Sequence, residues 1–186
     1  MADLSEKTFD YRTVYGPSFK DGLPNDDEWE EFKRIFSDAD ALAATELWYS
    51  KAKEAGGVPD RSMFSFEELV PYGRNIYMAK LNDEQLWNTT YCGEAIVSNV
   101  GLDATGKTLD DFATPETLKF WMKNLDKMLI EHHLFMEYYT LGFVNKDYIY
   151  CSSLTYPLKT IGSDIPNMHL VYEVFSSKNL FPDHLK

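Results

Sequence analysis

The stretch TPETLKFWMKNLDKMLIEHHLFMEYYTLGFVNKDYIYCSSLTYPL, residues 114–158, decides the fold. Thr114-Pro115-Glu116 is a helix start. The threonine offers a capping oxygen, the proline lacks an N–H that would have no partner there, and the glutamate sits favourably against the helix dipole. Leu118, Met122, Leu125 and Leu129 then recur at spacings of three and four, which predicts one apolar stripe facing a sheet. Two aromatic and β-branched runs follow, 135–144 and 148–158, joined by the tight link Asn145-Lys146-Asp147. They read as a hairpin.

Working outward, HLVYEVF at 169–175 supplies a further strand after a loop holding Gly162 and Pro166. Upstream, NIYMAKL (75–81) and LWNTTY (86–91) flank Asn82-Asp83-Glu84 and read as another hairpin. Between 92 and 112 lie short helical patterns, one of them ended by Gly101, and Thr105-Gly106 marks a turn. Two strands, a block of short helices, one long helix and three meandering strands predict an α+β domain. Its sheet is expected to be antiparallel and five-stranded, with helix 115–131 across one face. N-terminal helices precede it: Asn25 caps the first, and Ser37 or Asp38 separates a second that runs to Gly56-Gly57. The first two dozen residues, with Gly16, Pro17, Gly22 and Pro24, read as an irregular lead-in.

One stretch carries a family resemblance. Tyr91-Cys92-Gly93-Glu94-Ala95-Ile96-Val97, followed by Gly101-Leu102-Asp103-Ala104-Thr105-Gly106-Lys107-Thr108-Leu109, resembles the Y-x-G-x-x-I … G-x-D-x-T-G-x-x-L run of a PAS-like family common in alphaproteobacteria. Trp48, Gly57, Pro59, Arg61 and Phe64 upstream are similar to that family's entry into the sheet, as Pro157-Leu158 is to the end of its fourth strand. The resemblance spans residues 41–176. It implies a five-stranded PAS sheet and a role in sensing or interaction. It divides the chain into an N-terminal arm (1–40), a PAS-like domain (41–176) and a tail (177–186).

Composition bounds the function. Of 186 residues, 44% are apolar and 15% aromatic, enough for a core. The net charge is −12, and residues 1–40 hold 11 acids against five bases, a balance of −6. No run of Lys and Arg supplies a surface for nucleic acid or anionic membrane. No apolar stretch reaches membrane-span length, and the start MADLSEK lacks a signal peptide's apolar centre, so a cytoplasmic location is expected. Cys92 and Cys151 form no CxxC, which argues against a disulfide framework or a thiolate zinc site. Neither GxGxxG nor GxxxxGK[ST] occurs, so Thr105-Gly106-Lys107-Thr108 reads as a turn. GxSxG and HExxH are absent too. The cysteines do not match the Asn-Cys-Arg motif of flavin photosensors. His132 and His133 at a helix C-terminus read as structural, His169 and His184 have no local ligand spacing, and neither haem nor flavin is expected.

Candidate ligand-binding residues are Met78, Met122, Tyr138, Tyr150 and Tyr172. In the PAS arrangement these border the space between sheet and long helix, and thioethers and polar-tipped rings suit a small organic ligand there. They equally suit a filled core. Glu137 and Glu173 read either as buried acids with raised pKa values or as residues on a wet sheet face. The stripe Trp29, Phe32, Phe36, Ala39, Ala43 offers a dimer interface, or else a cover for the outer face of the sheet. The expected function is therefore a non-catalytic sensory or regulatory domain. It would bind a small molecule or a protein partner and act through its N-terminal helices or through assembly, since no output segment is expected. A scaffold module with a filled core is the alternative. A small lyase or isomerase using Glu137 or Glu173 as base ranks below both.

Overall fold

The computed structural model describes residues 11–180. The MADLSEK start, His184 and most of the expected tail lie outside the described residues. Six strands and five α-helices follow in order: β1 (Arg12–Ser18), α1 (Asp26–Lys33), α2 (Ala39–Ala55), α3 (Phe66–Leu69), β2 (Ile76–Leu81), β3 (Trp87–Cys92), α4 (Glu94–Val100), α5 (Pro115–Glu131), β4 (His133–Leu141), β5 (Lys146–Leu158) and β6 (Met168–Ser176). The strands make one sheet in the order β1-β4-β5-β6-β2-β3, with every pair antiparallel.

This corrects the expected five-stranded PAS sheet. The sixth strand, β1, comes from the supposed irregular lead-in and pairs Arg12–Tyr15 with Tyr138–Phe135 of β4. Gly16 and Pro17 hid it, because both residues ordinarily punctuate strands. At an edge they are tolerated, since the proline needs no ladder partner on its outer side. Register shifts between Tyr15 and Ser18, past those two residues. A side chain at Gly16 would put its Cβ 2.7–3.0 Å from the Phe32 ring, so the glycine lets α1 lie directly on β1. The strand also pairs the outer backbone groups of β4, which would otherwise form a long open edge.

The helices form where their caps dictate. Asn25 and Glu28 exchange side-chain and backbone hydrogen bonds at the start of α1, and Asp38 accepts from the Ala41 N–H at the start of α2. Thr114 caps α5, and His132 ends it in the left-handed conformation. Both sheet faces are covered. Trp29, Phe32, Trp48 and Ala52 of α1–α2 pack with Leu134, Met136, Tyr138, Leu154, Tyr156 and Tyr172 on one side. On the other, Leu118, Met122, Leu125, Met128 and Leu129 of α5 pack with Trp87 and Phe135.

Gly93 explains part of the Y-x-G-x-x-I stretch. Its N–H bonds to the Ile76 carbonyl at 2.9 Å, holding the start of α4 against the start of β2. A Cβ there would strike the carbonyl oxygens of Gly73 and Arg74, which are backbone and cannot rotate away. Gly93→Ala is expected to cost about 1–3 kcal/mol by overpacking, read as a lowered urea midpoint. An unchanged midpoint would mean that α4 does not approach the chain this closely.

Candidate functional site

The site is built from strand register. Glu137, Ser153 and Glu173 pair across β4, β5 and β6, so their side chains form one polar row on the α5 side of the sheet. The adjacent row is Phe135, Thr155, Val171, Tyr77 and Cys92. Over this floor lie Leu125 and Trp121 of α5, Ile96 and Val100 of α4, and Leu102, Ala104, Leu109 and Phe112 of the segment between the helices. Floor and cover border a cavity of about 110 Å³. One water needs only about 10–15 Å³, so the space suits a molecule of several heavy atoms.

Glu137 is 4% exposed, and its Oε1 accepts from Asn124 Nδ2 at 2.6 Å. Asn124 in turn accepts from the Tyr15 hydroxyl at 2.6 Å, so β1 fixes the amide orientation. Glu173 accepts from the Tyr139 hydroxyl at 3.1 Å on each oxygen and from Ser153 at 2.8 Å. Burial pushes the Glu137 carboxyl up to about 8, with the Glu173 charge adding to the rise and the Asn124 bond opposing it. Burial also raises Glu173 to about 7, against the lowering effect of its Ser153 and Tyr139 hydrogen bonds. His169 lies four residues before Glu173 on β6, roughly 13 Å along the strand, where Tyr77 and Trp87 flank its ring. Burial lowers its pKa to about 3, so it is neutral, and its Nδ1 has no hydrogen-bond partner among the described residues.

None of Met78, Met122, Tyr138, Tyr150 and Tyr172 lines this cavity. Met78, Tyr138 and Tyr172 pack on the α1–α2 side of the sheet, Met122 packs on the α5 side beside the cavity, and Tyr150 is half-buried on β5 opposite Thr140 and Ser176. Tyr138 and Phe36 do line a second hollow of about 270 Å³ near the α1–α2 link. Its one carboxylate, Asp38, already caps α2. Trp29 and Phe32 are buried within their own chain, with Trp29 stacked on Tyr49 at 3.7 Å, so the α1 stripe covers the outer sheet face. Phe36 packs partly buried beside them.

His133 reaches the Gly16 carbonyl at 2.8 Å and Glu131 at 3.0 Å, and neither it nor His132 lines the cavity. Cys92 borders the cavity, and burial raises its thiol pKa. Among the described residues, no group of three or more His, Cys, Asp or Glu side chains is placed to hold a metal ion. Nor is any helix there long and apolar enough to cross a membrane. Asn124, Tyr139 and Trp121 escaped sequence reasoning. The available signal was the shared parity of polar residues in otherwise apolar strands: 137, 153, 155, 169 and 173. No family model, curated protein or solved structure matches this chain.

Proposed function

We propose that this is a regulatory or sensory ligand-binding domain of the cytoplasm, holding a small amphipathic molecule between the sheet and α5. The observation that supports this most is the Glu137–Ser153–Glu173 row, two buried acids flooring a cavity whose cover is apolar. A filled core has no use for two carboxyl groups with no counter-charge, because each costs several kcal/mol to desolvate in its ionised form. Ligand sites typically combine an apolar lining with a few fixed polar groups of shifted pKa. A second reading, proton transfer by Glu137, has one observation in its favour: a carboxyl near 8 is suited to general acid–base work at neutral pH.

Native mass spectrometry of the gently purified chain tests the binding reading. It is expected to show an added small mass that is lost on denaturation. Val171→Phe, which fills the middle of the floor, should abolish that mass while the protein stays folded. A wild-type chain that carries nothing and accepts no small fragment would support the filled-core alternative.

A further inference from the structure

The nature of the ligand can be taken further, on the reading that this cavity is a ligand site. We propose that it takes a small organic cation, a primary ammonium head carried on a short apolar body. The polar end of the cavity is rich in acceptors and has no Lys or Arg beside it among the described residues. Glu137 and Glu173 stand on strands two apart in the sheet, about 10 Å between backbones, on the same face. Every side-chain hydrogen bond described for these two acids is donated to them: by Asn124 to Glu137, and by Tyr139 and Ser153 to Glu173. Two of these partners are hydroxyls, which can also accept, so the same shell serves each acid in its protonated form and in the ionised form that would meet a cation.

Among the described residues no lysine or arginine lines the cavity, so neither acid, once ionised, meets a counter-ion there. Lys127 of α5 instead lies over the Tyr15 ring at 3.7 Å. Aromatic rings complete the surroundings, with Tyr139, Phe135 and Trp121 on the wall, and ring faces attract cations where water is excluded. Beyond the acids, Val171, Leu109 and Leu125 offer an apolar bed for the body of the ligand.

The groups around Glu137 set the pH behaviour. β4 places Tyr139 beside it, β5 Ser153, β6 Glu173, α5 Asn124 and β1 Thr13 and Tyr15, with Tyr11 just before that strand, and none of these carries positive charge. These acids therefore hold protons near neutral pH, and an arriving ammonium must displace them. Binding should tighten as the acids ionise and should release protons to the buffer.

NMR titration of the full chain tests this with three probes of one size: n-butylammonium, n-butanol and butyrate. Backbone shifts of residues 135–139 and 153–155 report occupancy. Butylammonium is expected to bind, roughly a hundredfold more tightly near pH 9 than near pH 6 if a group titrating at about 8 must lose its proton. Glu137→Gln should weaken it at least about tenfold and flatten the pH dependence. Should that variant misfold, the wild-type pH series decides alone. Butanol or butyrate binding as tightly as the amine, or amine binding that weakens with rising pH, would overturn the cation assignment and leave the ligand site standing. Silence from all three probes in those residues would overturn the ligand site itself and the assignment with it.

Discussion

Trp48→Ala is expected to lower the unfolding free energy by about 3–5 kcal/mol, a large share of the roughly 5–15 kcal/mol that holds a domain together. Trp48 is 1% exposed and anchors α2 by three contacts, two of them to β5. Its ring stacks over Tyr156 at 5.8 Å, meets Phe19 edge-on at 4.8 Å, and donates its Nε1–H to the Pro157 carbonyl at 3.1 Å. Truncation leaves a void between two rigid layers and orphans a buried carbonyl. Trp48→Phe keeps most of the volume and loses the hydrogen bond, so about 1–2 kcal/mol is expected. Urea denaturation followed by far-UV circular dichroism measures both. A loss below about 1 kcal/mol for the alanine variant would mean that α2 is not docked on this face.

Alkaline pH should weaken the fold, and the two buried acids should be the reason. Glu137 and Glu173 ordinarily ionise near 4.5 and are raised to about 8 and about 7. Between those values the folded chain binds more protons than the unfolded one, so stability falls as pH rises. The contribution is fully present below about 4.5 and fully lost above about 8, and two such shifts amount to several kcal/mol. His169 works in the opposite sense. Lowered from 6.5 to about 3, it costs stability only as pH falls below 6.5. The interval from about 6.5 to 8 therefore isolates the acids. Glu137→Gln, which keeps the shape and cannot ionise, should be less stable than or equal to the wild type near pH 5 and more stable near pH 9. Thermal melts across that range measure it. A variant that tracks the wild type throughout would place Glu137 in contact with water.

Much of the chain follows from local signals. Thr114-Pro115-Glu116 marks the start of α5, Asn25 and Asp38 cap the two N-terminal helices, and the five strands 75–81, 86–91, 135–144, 148–158 and 169–175 fall within a few residues of β2 to β6. Local chemistry is enough there because each element carries its own cap or turn. β1 is different, since RTVYGPS becomes a strand only through the partner it meets in β4. Tertiary pairing outweighs its Gly and Pro, and no short window contains that information.

The cavity was half legible for a related reason. Alternation assigns residues to faces, but it identifies the core face only when the other face is wet. Here α1–α2 cover one side and α5 the other, so Tyr138 and Glu137 are both buried although they point oppositely. Tyr138 of β4 and Tyr172 of β6 point to the side packed by helices α1–α2. The polar residues marked the other side.

The placement of β1 also sets the order in which the molecule can be completed. Thr13 pairs with Glu137, which lies 124 positions later in the chain. During synthesis at about 5–20 residues per second, the strand would wait roughly 6–25 seconds before its partner existed. Closing so long a loop adds little to the equilibrium cost, because that cost grows only logarithmically with length, but pairings this distant slow folding. Until β1 docks, β4 presents an unpaired edge rich in aromatic residues, the kind of surface to which another incomplete chain can add a strand. The topology thus places its aggregation hazard in a kinetic window before the last strand closes, and leaves the finished sheet protected along that edge.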